Sequence, residues 1–258
     1  MISFELFGSP GCGKTSLYER LKRRSSRKYY NREEAECLFL AYLLGLPESQ
    51  YQFSDSIYIA LARNAATQKI ARFIHRLYFR EFFERFDTLP DYISEIIEHS
   101  VYSDVSDELK LKRLEWIKGT VIRSHMINRI HSSQVCISEE MLCQIGMNFI
   151  GARKPIRECL DSYYMKVKMP EILVYCKLDK DEIFTRLIKR KRRAMIHKHV
   201  SNNDIFNLID HQILVVQVCL SCAVKRGCKI ITLDMSNKLD DNAGILHDTL
   251  QNFSSKLV

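Results

Sequence analysis

The feature that most constrains this chain is the run Gly8-Ser9-Pro10-Gly11-Cys12-Gly13-Lys14-Thr15, which fits the pattern GxxxxGK[ST]. The chain has nine glycines, and three of them fall inside this loop. The flanks supply the setting that the pattern needs. Ile2–Phe7 is apolar apart from Glu5 and reads as a strand. From Lys14 onward, Leu17, Tyr18 and Leu21 recur on one helical face until Lys22-Arg23-Arg24 closes it. A strand, a glycine-rich turn and a helix bring backbone N–H groups and the positive end of a helix dipole to one point, which is a cradle for phosphate oxygens. Gly8, Ser9, Pro10, Gly11, Cys12, Gly13, Lys14, Thr15 and Ser16 are therefore the expected nucleotide-binding residues. Lys14 is expected at the β- and γ-phosphates and the Thr15 hydroxyl on Mg²⁺.

Three more strands are expected. They are Gln134–Ser138, Glu171–Cys176 after Pro170, and Cys228–Leu233 after Gly227. Helical patterns separate them, so the expected fold class is α/β, a parallel-sheet P-loop fold with helices on both faces. No repeat or low-complexity linker divides the chain, and residues 1–258 are read as one domain. Between Tyr30 and Ser133 the pattern is helical, for instance over Asp55–Phe86 and Asp107–His131, with a break at Leu89-Pro90-Asp91. This segment, about 30–133, is read as a large helical insertion covering the acceptor side of the site. Its aromatic set Phe73, Tyr78, Phe79, Phe82, Phe83 and Phe86 reads as core. Its stripe Arg72, Arg76 and Arg80 reads first as a solvated face and second as an anion clamp.

Phosphoryl chemistry also needs a carboxylate near the metal. Glu139 and Glu140 follow an apolar strand directly, where the carboxyl end of a parallel sheet opens into a ligand crevice. One of the two, with Glu139 taken first, is expected in the Mg²⁺ shell with Thr15, and the other as the group that orients or deprotonates the attacking hydroxyl. The plainer reading is an acidic helix start. The run Arg186–Arg193 follows the third strand, and at helical spacing Arg186, Arg190 and Arg193 share a face. Arginines there are expected to close over the transferring phosphoryl group. The alternatives are a solvated basic face, a localisation signal, or a nucleic-acid patch over residues 186–199. Asn237-Lys238-Leu239-Asp240 fits a guanine-recognition pattern, but no DxxG precedes it, so GTPase chemistry is not expected; ATP is the expected donor, with GTP left open.

The net charge of +8 and pI near 9.0 suit an anionic ligand without selecting one. Nine cysteines are spread without a metal-type pattern. Cys219 and Cys222 sit in an apolar helix with no downstream partner pair, and reduced, buried thiols in a cytoplasmic protein are expected. The apolar stretches Leu38–Leu46 and Ile213–Val224 are too short to span a bilayer and read as buried helices, and no secretory signal is seen.

Together these residues resemble the nucleoside and nucleotide kinase-like branch of P-loop proteins, which includes thymidylate kinases and deoxynucleoside kinases. The resemblance covers the first 25 residues and roughly 133–258. It follows the family's order: Gly8–Thr15, the acidic Ser138-Glu139-Glu140, the strand from Pro170 to Tyr175, and Arg186, Arg190 and Arg192 in a lid pattern R-x3-R-x-R. The strand Lys229–Leu233 and a final helix with Ile245 and Leu246 complete it. Zeta-toxin-like phosphotransferases share the loop style. What the resemblance implies is catalysis by Lys14, Glu139, Glu140, Arg186, Arg190 and Arg192. The reaction would move the γ-phosphate of ATP, with Mg²⁺, to a nucleoside, nucleotide or sugar-type acceptor. The rival reading is a non-kinase ATPase that acts with nucleic acid or a protein partner.

Overall fold

A computed structural model describes residues 2–24, 91–102, 106–129, 135–139, 141–149, 155–190 and 202–254. Four strands, β1 (Ile2–Phe7), β2 (Val135–Ser138), β3 (Ile172–Lys177) and β4 (Lys229–Asp234), form one sheet in the order β2-β1-β3-β4. Every pairing is parallel. The register sets Glu5 beside Ser138, Phe4 beside Ile172 and Tyr175 beside Thr232. All four strand expectations lie within a residue or two of the observed bounds, because each is a short apolar run between turn residues.

The helices are α1 (Lys14–Arg24), α2 (Asp91–Tyr102), α3 (Asp107–Arg129), α4 (Leu142–Ile145), α5 (Ile156–Lys166), α6 (Lys180–Ile188), α7 (Asn202–Lys225) and α8 (Leu239–Ser254). A 3₁₀ turn, Gly146–Asn148, continues α4. Because β1 is pleated, Phe4 and Leu6 face one side of the sheet, where they meet Leu17, Tyr18 and Leu21 of α1 and Ala243, Leu246 and Leu250 of α8. Phe7 and Leu173 face the other side and pack with Tyr163 and Tyr164 of α5 and Val215, Val218 and Cys219 of α7. The sheet is thus covered on both faces, which is what strands apolar on both sides require.

α1 carries the anticipated face, with Leu17, Tyr18 and Leu21 buried, and is tied to α8 by Arg20 and Arg24 pairing with Asp240 at 2.7 and 3.3 Å. That engagement takes Asp240 of the Asn237–Asp240 motif as a structural partner. Of the helices expected in the 30–133 segment, α3 matches Asp107–His131 closely, and α2 begins at Asp91, directly after the break at Leu89-Pro90. Residues 55–86, with the aromatic set and Arg72, Arg76 and Arg80, lie outside the described residues.

The apolar stretch Ile213–Val224 is part of a longer helix. By length and composition Asp204–Lys225 could cross a membrane, with a mean hydropathy of 1.5. Ile205, Ile209, Val215, Val216, Val218, Cys219, Cys222 and Ala223 are nonetheless buried in the two cores, so it serves as a core helix. The described cysteines are free thiols, and all but the partly buried Cys228 are buried.

One expectation needs correction. Arg190 does not continue the helical face of Arg186, because α6 ends at Ile188, and Arg193 lies outside the described residues. The N–H of Arg190 bonds to the Leu187 carbonyl at 3.3 Å, a tightened last turn, and Arg190 is exposed beyond it. The adjacent cations Lys189 and Arg190 repel one another and gain nothing from extending the helix.

Candidate functional site

β1 and β3 run side by side, and their carboxyl ends carry the loop that opens α1. Gly8, Gly11 and Gly13 have φ of +150°, +94° and +102°, a region that favours glycine. Gly8 has a second reason to lack a side chain. A Cβ there would stand 2.7 Å from the Cys176 carbonyl oxygen, so the loop can leave the sheet only by pressing on β3. Gly8→Ala is expected to cost about 2 kcal/mol or more, read as a lowered urea midpoint; an unchanged midpoint would remove this reason for the glycine.

Lys14 is 9% exposed, and its ammonium lies across the loop, donating to the Gly8 carbonyl at 2.7 Å and the Ser9 carbonyl at 3.3 Å. The Cys12 Sγ stands 3.9 Å from it. Hydrogen bonding with Cys176 and the nearby Lys14 charge outweigh burial and bring the Cys12 thiol down to about 6. One residue on, the exposed Thr15 hydroxyl donates to Glu139 Oε2 at 2.6 Å. This single contact joins the first turn of α1 to the end of β2, across 124 residues of chain.

Glu139 stands just past the end of β2. Glu140 and Arg192 lie outside the described residues, so the structure brings together only one glutamate and one arginine of the expected set. That arginine is Arg186, half-buried on α6. Its guanidinium donates to the Cys12 carbonyl at 3.4 Å and the Met235 carbonyl at 3.2 Å, and it also pairs with Glu182 on its own helix. It thereby joins the P-loop, α6 and the turn after β4. Arg190 is exposed and not part of this contact set.

One residue of the site was passed over in the sequence, where it stood only as an interruption of an apolar strand. Glu5 is 2% exposed, and its carboxylate accepts three backbone N–H bonds from the segment after Glu139. Met141 and Gln144 donate to Oε1 at 3.1 and 2.9 Å, and Cys143 donates to Oε2 at 3.1 Å. Burial pushes the carboxyl from its ordinary 4.5 up to about 7, while these donors pull against it. The same segment is pinned from the far side. Tyr163 and Tyr164 donate to the Leu142 and Cys143 carbonyls at 2.6 and 2.7 Å, and Gln144 Nε2 reaches the Gly8 carbonyl at 3.4 Å. A charge alone in an apolar strand was the available signal, because such a residue must find buried partners.

Among the described residues, no group of three or more His, Cys, Asp or Glu is placed to hold a metal. Thr15 Oγ1 and Glu139 Oε2 are hard oxygen donors beside a phosphate cradle. That donor set fits Mg²⁺, which takes one or two protein oxygens and completes its shell with phosphate and water.

A parallel sheet covered on both faces, with a P-loop at its carboxyl edge, is an α/β P-loop fold, and its shape matches that of a P-loop deoxynucleoside kinase. One solved structure that it matches is a deoxyadenosine kinase from M. mycoides with bound dATP, at a TM-score of 0.52 and 10% identity, covering 97% of this chain and 100% of that chain. The same enzyme with the products dCMP and a flexible dCDP aligns at a TM-score of 0.49 and 9% identity, with the same coverage. No protein-family model matches the sequence, and no curated protein does. The likeness therefore rests on shape.

Proposed function

We propose that this chain is a phosphotransferase that moves the γ-phosphate of ATP to a nucleoside-like or nucleotide-like small molecule. The observation that carries the reading is the 2.6 Å contact between Thr15 Oγ1 and Glu139 Oε2. It couples a phosphate cradle to a carboxylate from a different strand, which nucleotide binding alone does not need. Mg²⁺, when bound with nucleotide, would supply neutralisation of the phosphate charge, with Thr15 and Glu139 as its protein ligands. Lys14 holds its ammonium at the loop mouth on carbonyl oxygens, and phosphate oxygens are stronger acceptors for the same donors. Arg186 fixes the loop through the Cys12 carbonyl, so its part is to position the cradle. Glu140, Arg190 and Arg192 complete the reading as a second carboxylate and a closing basic segment. The 30–133 segment, within the single domain, selects the acceptor.

The fold match supports the substrate class, since the deoxyadenosine kinase it resembles holds dATP. Deoxynucleosides and their phosphates therefore come first in an assay with γ-labelled ATP, followed by ribonucleosides and sugars. Label in a small molecule is the expected result; label released only as inorganic phosphate favours an ATPase. Glu139→Gln should lower turnover about 100-fold and leave nucleotide affinity within a few-fold. A near-normal rate in that variant would reduce Glu139 to a structural partner of Thr15.

A further inference from the structure

The face of the sheet that Phe7 and Leu173 line with hydrocarbon changes character at the seam between β1 and β2. The register sets Ser3 beside Cys136 and Glu5 beside Ser138. Partners in register point to the same face, and residues two apart in a strand share it. The seam therefore presents two hydroxyls, a thiol and a carboxyl where the rest of the face is apolar. α3 covers it. Ile127 packs on Cys136, and Ser124, one turn earlier and buried, adds a third hydroxyl. Helix and seam do not close on each other. They leave a cavity lined by Ser3, Glu5, Ser124, Cys136, Ser138 and Lys168 among others, with about 20 Å³ open to the centre of a water molecule. Of these six only Ser3 and Lys168 reach the surface, so the cavity opens at the amino edge of the sheet and ends at the buried Glu5–Ser138 pair.

The inner end carries an unmet demand. Ser138 is 4% exposed, and its Oγ is buried with no hydrogen-bond partner. Native proteins leave such a group unpaired only rarely. A space of about 10–15 Å³ on the same measure holds one water molecule, and a buried water takes two to four polar partners. The cavity meets both conditions, with Ser138 Oγ and the Glu5 carboxyl at its inner end and the Ser124 hydroxyl on the covering helix. A metal cation fits less well. The one carboxyl already accepts the N–H groups of Met141, Cys143 and Gln144, the other oxygens are neutral hydroxyls, and Lys168 stands at the mouth.

We infer that this cavity is a binding site for one ordered water molecule, which joins Ser138 of β2 to Glu5 of β1 and so holds the strand end that presents Glu139 to Thr15. The water accepts the Ser138 hydroxyl proton and donates to a Glu5 oxygen. Ser138 directly precedes Glu139, whose Oε2 accepts the Thr15 hydroxyl at 2.6 Å. Glu5 holds the segment that follows Glu139 through its three N–H bonds. The water thus ties the residue before Glu139 to the same carboxyl that anchors the residues after it, and Ser138 is a positioning residue.

A crystal structure of the full-length wild-type chain, at a resolution that shows ordered water, tests the site directly. One water should lie within hydrogen-bond distance of both Ser138 Oγ and a Glu5 carboxyl oxygen. A dry cavity, or a metal ion in it, overturns the proposal. Ser138→Ala supplies a test in solution, because the sign of its effect depends on the water. With the water bound, alanine removes one of its anchors, and the ligand-free Tm should fall by about 2–4 °C. With an idle hydroxyl, alanine relieves a buried unpaired group, so an unchanged or higher Tm overturns the site. The same variant should lower turnover about fivefold and leave the KM for ATP unchanged, since a small displacement of Glu139 is felt in the chemical step. Turnover equal to wild type overturns the link to Glu139. That last readout rests on the phosphotransferase reading, whereas the crystal structure and the Tm are read without nucleotide. A wild-type chain that transfers no phosphate therefore counts against that reading alone.

Discussion

Lys14→Ala is expected to lower phosphoryl transfer by about three orders of magnitude, equivalent to roughly 4 kcal/mol of transition-state stabilisation. The size follows from what the ammonium does in each state. In the protein alone it is held by the Gly8 and Ser9 carbonyls at 2.7 and 3.3 Å, so it is already desolvated and fixed across the loop. Little reorganisation is then needed as negative charge develops on the transferring group, which is the condition under which a fixed cation contributes most. The same contacts give the substitution a second consequence. Without the ammonium, the Gly8 carbonyl keeps only Gln144 Nε2 at 3.4 Å, a long bond, so a stability loss of about 1 kcal/mol should accompany the kinetic one. Lys14→Arg should not rescue turnover, because a planar fork cannot occupy the place of a compact ammonium. Measuring turnover beside urea denaturation separates the two effects. Turnover within tenfold of wild type in folded Lys14→Ala would remove the P-loop from the chemistry.

How much of this could be read in the sequence depends on how local the cause is. The P-loop was legible because its glycines, lysine and threonine are all fixed by one turn, between a strand and a helix whose periods are visible on either side. The sheet was legible because each strand is a short apolar run after Pro170, Gly227 or a polar segment. The end of α6 was not. Arg186 and Arg190 are correctly spaced for one face, but spacing assumes that the helix continues through Arg190, and repulsion between the adjacent cations Lys189 and Arg190 is a reason for it to stop. Arg186 was expected over the phosphates from its place after the third strand, while its carbonyl partners Cys12 and Met235 come from two other elements and leave no trace in local spacing.

Glu5→Leu provides the second large expected effect, and it runs against the usual sign for a buried charge. Replacing an isolated buried ion by a hydrocarbon of similar size commonly stabilises a protein. Here the carboxylate is the acceptor for three backbone N–H groups, of Met141, Cys143 and Gln144, and leucine would leave all three buried and unpaired. At roughly 2 kcal/mol for each orphaned donor, about 6 kcal/mol in all, less about 3 kcal/mol gained by removing the charge, the variant should lose about 3 kcal/mol. Glu5→Gln keeps one acceptor oxygen and turns an amide donor toward the remaining N–H groups, so it should be intermediate. The pH dependence gives an independent check. The folded carboxyl is raised from 4.5 to about 7, so folding takes up a proton between those values. The stability due to Glu5 is therefore fully present below about pH 4.5 and is lost as pH rises toward 7, a slope that integrates to about 3 kcal/mol. Glu5→Gln has no proton to take up, so its stability should change less with pH over that window. Because the Glu5-bound segment follows Glu139 directly, Glu5→Gln should also lower turnover more than nucleotide affinity, as displacement of Glu139 from Thr15 requires. A Glu5→Leu chain as stable as wild type, with the same pH slope, would mean that α4 is held by Tyr163 and Tyr164 alone.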